Sequence, residues 1–193
     1  MERDYDALAI RELGPGAGFR RPTQAAAAKV TIESPALEVM TDLKRTTPAT
    51  IRPQAPIAGA NQFMITRGVR LLLVVDEREE VLGVISATDI LGERPMRIAT
   101  ERGMRRDELT VADIMTPAEQ VEAVALQDVA AARVGHVLET LRRAGRQHVL
   151  VVDGERTVCG IFSLSQIARQ LGLALSTGGE VARTFSEIEA AIR

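Results

Sequence analysis

The sequence predicts a mixed α/β protein made of two pseudo-symmetric copies of one small unit, packed against each other as an intramolecular pair. The main observation is a repeat, because residues 68–90 reappear 77 positions later as residues 145–167 without a gap. In each copy, two apolar runs of strand length lie between helical patterns, which indicates a small, mostly β sheet with two helices. A chain of 193 residues is long enough for two such units.

The elements of the first copy follow from its apolar runs and turn residues. A helix that begins with proline ends before Gly68, which is a favourable residue just past a helix C-terminus. The continuous apolar run at residues 71–75 predicts a strand that is covered on both faces. In order, the elements are a short helix or turn at 36–43, a strand at 48–51, a helix at 56–64, strands at 71–75 and 81–86, and a helix from residue 88.

The second copy repeats this order with a clearer helical pattern. Val134, Val137, Leu138 and Leu141 recur at the spacing of one helix face. The pair at residues 153–154 is Asp-Gly, which favours a hairpin turn between two strands. The predicted elements are a helix at 134–144 that ends at Gly145, strands at 149–152 and 158–162, and a helix at 165–171.

The flanking segments complete the predicted organisation. Near the C-terminus, Thr184 and Glu187 make a capping-box pattern, and Phe185, Ile188 and Ile192 form an apolar stripe that predicts a short helix packed on this chain or a second subunit. The segments are a flexible N-terminal arm at 1–34, the first unit at 35–92, a charged helical connector at 93–110, the second unit at 111–172, and a C-terminal segment at 173–193.

Composition excludes several classes of function. The net charge is −2, aromatic residues make up 3% of the chain and tryptophan is absent, so nucleic-acid binding is not expected. One cysteine, Cys159, indicates a reducing cytoplasm and is expected to be a buried apolar residue. With two histidines, His136 and His148, no metal site is expected. No apolar run reaches the roughly 18 residues of a membrane span, and the charged N-terminus does not resemble a secretory signal.

Four sequence strings resemble the CBS domain family, in the tandem arrangement known as a Bateman module. Residues 68–76 and 145–153 share the pattern G-x-x-x-h-x-V-V-D, and residues 83–90 and 160–167 share G-h-h-S-x-x-D/Q-I. The strings V-M-T at 39–41 and T-V-A-D-I-M-T-P at 110–117 add to the likeness. Both copies depart from many CBS domains in one respect, since Leu73 and Leu150 stand where proline is common.

This resemblance implies a small stand-alone regulatory protein rather than an enzyme. It implies clefts between the two units that bind AMP, ADP, ATP or S-adenosylmethionine, with no catalytic cofactor. It also implies a homodimer and an unidentified target protein in trans. The alternative is a structural or interaction module without a specific ligand, and catalysis and DNA binding are the remaining, less favoured hypotheses.

The predicted ligand site centres on the end of the second strand of the first copy. Ser86 is expected to donate to a phosphate oxygen and Asp89 to accept from ribose hydroxyls, next to the free N–H groups of a helix start. Arg70 is the expected cationic partner of the phosphate. A purely structural alternative is that Ser86 or Thr88 caps the helix. By resemblance, Thr50 and Ile51 line the adenine side through their backbone groups, and Leu72 offers apolar contact.

The second copy differs from the first in its site motif. Gln166 stands where the first copy has Asp89, and an uncharged amide is a poorer partner for a ribose diol. The sequence therefore predicts asymmetry, with the cleft that contains Asp89 as the better nucleoside site. The residues predicted for a second, weaker cleft are Ser163, Gln166, His148 and Arg146.

Overall fold

The computed structural model of the protein describes residues 30–154, residues 157–173 and the single residues 188 and 190. Within these ranges the strands are β1 (Thr41–Asp42), β2 (Thr50–Ile51), β3 (Leu71–Val75), β4 (Val81–Ser86), β5 (Thr116–Pro117), β6 (Ala123–Ala125), β7 (His148–Val152) and β8 (Val158–Ser163). The α-helices are α1 (Ile57–Arg67), α2 (Ala87–Leu91), α3 (Arg94–Arg102), α4 (Val111–Ile114), α5 (Leu126–Ala131), α6 (Val134–Ala144) and α7 (Leu164–Gln170). Short 3₁₀ helices cover Ala36–Val39, Arg106–Glu108 and Ala118–Gln120.

The strands form two four-stranded sheets, and each sheet takes one edge strand from the segment that precedes the other repeat. The first sheet has the order β2-β3-β4-β5 and the second has the order β1-β8-β7-β6. In each sheet a short parallel pair (β2 with β3, β6 with β7) adjoins a long antiparallel hairpin (β3 with β4, β7 with β8). The exchanged strands β1 and β5 pair antiparallel with β8 and β4. The two predicted units are therefore interlocked rather than merely in contact.

The same exchange organises the hydrophobic cores. Ala36 and Val39 precede the first repeat but are fully buried in the core of the second sheet, beside Phe162. Conversely, Leu109 and Val111 precede the second repeat and are fully buried in the core of the first sheet. The predicted units at 35–92 and 111–172 each contain one repeat. The segment that precedes each repeat packs into the core of the other unit.

The two leucines that replace proline lie between the sheets. Leu73 and Leu150 are 4% and 5% exposed and form a third apolar cluster with Val75. Leu71 and Ile161 pack against this cluster from the two sheets. The departure from the family pattern therefore supplies apolar contact between the sheets.

Helix ends follow the sequence signals closely. Gly68 and Gly145 have φ of 65° and 62°, and each ends a helix in the left-handed conformation that glycine adopts without steric cost. The predicted helix at 56–64 extends to Arg67. Helix α5 was not predicted, because Val129 is its one buried residue and it presents no helical apolar stripe.

The connector contains the helix α3 and a 3₁₀ turn, and several of its charged side chains are paired. Arg97 lies 3.9 Å from Glu101, Arg105 pairs with Asp107 at 2.6 Å, and Arg102 pairs with Asp113. Pro95 and Ala99 are the buried residues of α3. The connector therefore rests on the first core through a narrow face.

Two predictions about single residues are supported at the edges of the described ranges. Ile188 is helical, 2% exposed and packed in the second core. Cys159 is buried, its Sγ donates to the Val151 carbonyl at 3.5 Å, and burial raises the pKa of its thiol. The N-terminal arm up to residue 29 and the predicted capping box at Thr184 and Glu187 lie outside the described residues, as do Phe185 and Ile192.

Candidate functional site: a cleft between the two sheets

A cleft of about 130 Å³ lies between the two sheets and combines residues from both repeats. One wall is formed by the end of β4 and the start of α2, with Ser86, Thr88 and Asp89, and by Thr116 of the exchanged strand β5. The opposite wall is the turn from α6 into β7. The remaining described lining residues are Leu71, Val84, Gln120, Val121, Glu122, Gly145, Arg146, Gln147, His148, Val149 and Leu150. This space is called the Asp89 cleft below.

Ser86 and Asp89 form a reciprocal cap at the start of α2. Asp89 Oδ2 accepts hydrogen bonds from the Ser86 backbone N–H at 2.8 Å and from the Ser86 hydroxyl at 2.6 Å. The Ser86 Oγ in turn accepts from the Asp89 backbone N–H at 3.2 Å. Ser86 therefore caps α2, as the purely structural interpretation of this motif predicted. The cap uses the Oδ2 atom of Asp89 and leaves its Oδ1 atom without a hydrogen bond from Ser86.

The cleft brings together residues that the sequence had assigned to two different sites. Arg146 and His148 were predicted for the second cleft but line the Asp89 cleft. The end of β4 faces the turn from α6 into β7 of the other copy, so residues of both repeats meet in this cleft. Gln147, the repeat counterpart of Arg70, consequently stands in the predicted place of that arginine.

Four predicted residues do not belong to the described lining of this cleft. Leu72 is fully buried in the first core, so its side chain has no surface to offer a ligand. Thr50 and Ile51 form β2, where they pair in register with Leu73 and Val74. The fourth residue is Arg70, which is exposed and whose carbonyl accepts from the Ala87 backbone N–H at 2.9 Å.

The second copy uses its motif differently. The Gln166 amide oxygen accepts from the Thr41 hydroxyl at 3.1 Å, which ties α7 to the exchanged strand β1. Ser163 shares a hydrogen bond of 3.1 Å with the Ser165 hydroxyl. The reciprocal Ser–Asp cap of the first copy is thus replaced by contacts of uncharged groups.

Gln147 and Thr116 are cleft residues that the sequence reasoning missed. The Thr88 hydroxyl donates to the Gln147 amide oxygen at 3.4 Å, a long hydrogen bond across the cleft. Thr116 is 8% exposed and lies at the cleft wall. The available signal was the repeat itself, since position 147 corresponds to position 70, where a ligand contact was already expected.

His148 is half-buried in the cleft and stays neutral near pH 7. Burial, and secondarily the Arg70 guanidinium, lower the pKa of His148 from its usual range to about 4. The unfolded chain, with a histidine pKa near 6.5, therefore takes up a proton before the folded protein does. The free energy of unfolding consequently falls as the pH drops from about 6.5 to about 4.

Replacing His148 with leucine, the residue at the same repeat position in the first copy, is expected to remove this pH dependence. The histidine contribution amounts to at most about 3 kcal/mol. Urea unfolding at pH 4.5 and pH 7 measures it, as the difference between the two proteins in their loss of stability. An identical loss in wild type and His148→Leu would contradict a lowered pKa.

A second cavity of about 420 Å³ lies entirely within the second unit. It is bordered by α5, α6 and the sheet residues Val149 and Phe162. Thr140 at its edge stands where the first copy has the larger Phe63, so the two copies differ at this position. The cavity contains neither site motif and does not lie between the repeats.

Metal-binding clusters and membrane-spanning helices are both absent from the described part of the chain. That part holds no group of three or more His, Cys, Asp and Glu side chains arranged to hold a metal ion. Its helices are all too short or too polar to cross a membrane.

Two interlocked α/β units with a polar cleft between them define a tandem module, and the comparisons identify its family. The CBS domain family matches residues 37–95 and 104–172, more than half of the chain. The chain therefore belongs to the CBS domain family and carries the domain in tandem. No curated protein sequence matches it.

Solved structures share the paired fold at low sequence identity. An uncharacterized conserved protein of Pyrococcus horikoshii has a TM-score of 0.56 and 22% identity, over 77% of this chain and 100% of that chain. CBSX2 of Arabidopsis thaliana, solved in complex with AMP, has a TM-score of 0.50 and 19% identity, over 72% and 94% of the two chains. A conserved CBS domain protein of Thermoplasma acidophilum has a TM-score of 0.51 and 19% identity, over 79% and 76%. These likenesses establish the fold.

Proposed function

We propose that the protein is a regulatory module that senses an adenosine-containing compound in the Asp89 cleft and signals to a partner protein. The candidate ligands are AMP, ADP, ATP and S-adenosylmethionine. The observation that carries the proposal is the convergence of the Ser86–Asp89 motif with Arg146 and His148 in one cleft between the repeats. The AMP complex of CBSX2, which has the same fold, supports it.

The polar groups of the cleft match the parts of such a ligand. A carboxylate accepts hydrogen bonds from both hydroxyls of a ribose diol, and Asp89 Oδ1 is left outside the cap for this purpose. Arg146 is exposed at the rim, where a guanidinium suits a phosphate or carboxylate of the ligand. The Thr88 hydroxyl lies on the same wall and can donate to a ligand oxygen. The apolar floor includes Leu71 and Leu150, on which a base can lie.

The size of the cleft connects binding to a change of shape. Pockets for drug-sized ligands measure about 300–1,000 Å³, whereas the Asp89 cleft measures about 130 Å³. A complete nucleotide exceeds this enclosed volume, and we propose that its binding separates the walls and breaks the Thr88–Gln147 hydrogen bond across the cleft. The free energy of binding is thereby coupled to the relative position of the two sheets. This coupling is the physical basis of the proposed signal, which a homodimer of the chain would pass to its target.

We also propose that one ligand binds per chain. On the side of Gln166, the ligand would have to compete with the Thr41 hydroxyl for an uncharged amide. The Ser163 hydroxyl shares a hydrogen bond with Ser165, and Arg70, the repeat counterpart of Gln147, is the candidate cation there. The site is expected to be empty or weak at concentrations that fill the Asp89 cleft.

A thermal-shift panel followed by calorimetry tests the proposal on the full chain. AMP, ADP, ATP, S-adenosylmethionine and NAD are compared, because a ligand present at 100 times its dissociation constant adds about 2.7 kcal/mol to the free energy of unfolding. One ligand is expected to raise the melting temperature and to bind with a stoichiometry of one per chain. Failure of all five to stabilise the protein would favour a structural or interaction module, and two equal sites would overturn the predicted asymmetry.

A further inference from the structure

Both ends of the connector helix α3 are held by arginines that contact aspartates of capping boxes. At its first residue, Arg94 Nη1 lies 3.8 Å from Asp89 Oδ1, and its Nη2 donates to the Met115 carbonyl at 3.2 Å. At its last residue, Arg102 Nη1 donates to Asp113 Oδ1. The helix thus joins the end of the first repeat to the start of the second.

The two aspartates divide their oxygens in the same way. Asp113 Oδ2 accepts from the Thr110 backbone N–H and hydroxyl, both at 2.8 Å, just as Asp89 Oδ2 accepts from Ser86. In each residue the cap uses Oδ2, and the arginine of α3 faces Oδ1. The difference is that Asp89 lines the cleft, whereas the described lining does not include Asp113.

The contact between Arg94 and Asp89 belongs to the first copy alone among the repeats. At the positions 77 residues later, Leu171 replaces Arg94 and Gln166 replaces Asp89, so neither charge is present. Apart from Arg94, α3 is held by buried Pro95 and Ala99 and by half-buried Ile98, so its N-terminal end depends on few contacts. A pair that is 36% and 22% exposed is weak enough to be exchanged for another partner.

We propose that a ligand in the Asp89 cleft takes Asp89 Oδ1 from Arg94, so that the N-terminal end of α3 loosens while Arg102 and Asp113 hold its other end. This inference rests on the proposed function and adds the element through which occupancy of the cleft leaves the site. Arg94 is a positioning residue, because it acts on the ligand through Asp89. The mobility of α3, whose side chains are mostly exposed, would therefore differ between the empty and the occupied cleft.

Hydrogen exchange of the full chain, with AMP and S-adenosylmethionine as probes, tests this inference. Without ligand, the amides of residues 97–99 are expected to exchange several-fold faster in Arg94→Gln and Asp89→Asn than in wild type, because they are the first amides of α3 with helical hydrogen bonds. Arg94→Lys should restore much of the protection, and Arg97→Gln, on the same helix but paired only with Glu101 in the described structure, serves as the matched control. Equal exchange in wild type and Asp89→Asn would overturn the proposed restraint of α3 whatever the protein binds.

Hydrogen exchange with a bound probe distinguishes a failure of this inference from a failure of the proposed function. A saturating probe should accelerate the same amides in wild type and should have no further effect on them in Arg94→Gln. That variant should also bind the probe about two- to fivefold more tightly, since an exposed ion pair no longer competes. Protection of α3 by a bound probe, or weaker binding by Arg94→Gln, would overturn the inference while the sensor function stands. Binding of neither probe would overturn the ligand-driven release, and failure of the whole nucleotide panel would overturn the function itself.

Discussion

Replacing Asp89 with asparagine is expected to weaken binding of the adenosyl ligand by about ten- to a hundredfold. The variant keeps the size of the side chain but loses the charge that accepts hydrogen bonds from a ribose diol, and a hydrogen bond to a charged group contributes about 1.5–3 kcal/mol. Its amide oxygen can still accept from the Ser86 backbone N–H, so part of the cap is retained. Calorimetric titration with the ligand selected by the panel measures the effect.

Asp113 supplies the matched control for this variant. It has the same position in a capping box, with Thr110 in the role of Ser86, and a hydrogen bond from the Thr110 backbone is the main cause that lowers the pKa of its carboxyl group. Asp113→Asn should therefore cost similar helix-cap stability and leave ligand affinity unchanged. Equal affinity of the Asp89→Asn variant and wild type would remove Asp89 from the ligand site.

Replacing Gly83 with alanine is expected to lower the free energy of unfolding by about 1–3 kcal/mol, the usual cost of forcing atoms into a packed site. Gly83 pairs with Pro117 where the exchanged strand β5 joins β4. An added Cβ would overlap the Thr116 carbonyl oxygen and crowd the Pro117 Cα, and both are backbone atoms that cannot rotate away. Chemical denaturation followed by circular dichroism measures the change.

The repeat provides the control, because Gly160 occupies the same position in the second copy. There the added Cβ would meet the Met40 side chain, which is flexible and can adopt another rotamer. Gly160→Ala should therefore cost less than about 1 kcal/mol, with the same effect of alanine on the unfolded chain. Equal destabilisation by the two variants would contradict the steric account of the β4–β5 pair.

The elements of the fold were predictable because their signals are local. The glycines at 68 and 145 end helices in a conformation that disfavours other residues, and apolar runs of five and four residues lie in the central strands β3 and β7. Ser86 was correctly considered as a cap for the same reason. The capping interaction depends on residues three apart and needs no knowledge of the tertiary structure.

The composition of the cleft was not predictable from the same signals. Arg70 was predicted as the cationic partner from the same repeat as Asp89, whereas the described lining of the Asp89 cleft includes Gln147 and His148 of the other repeat. Leu72 illustrates a second limit of sequence-based prediction. All five residues of its strand are apolar, so the sequence does not indicate which of them face a ligand and which face the core. Both questions are decided by how the two sheets are oriented, and that is a long-range property.

The exchange of edge strands also sets the order in which the protein can be completed during its synthesis. The strand β1 has no partner until β8 has been made, near the end of the described chain. Because chains grow at about 5–20 residues per second, β1 waits on the order of ten seconds. During that time the buried residues of the Ala36–Val39 segment and the edge of β1 have no native surface to cover them, which is the condition under which nascent chains associate wrongly. The second sheet is therefore begun first and finished last, so a pause in translation after the first repeat would leave no complete sheet on the ribosome.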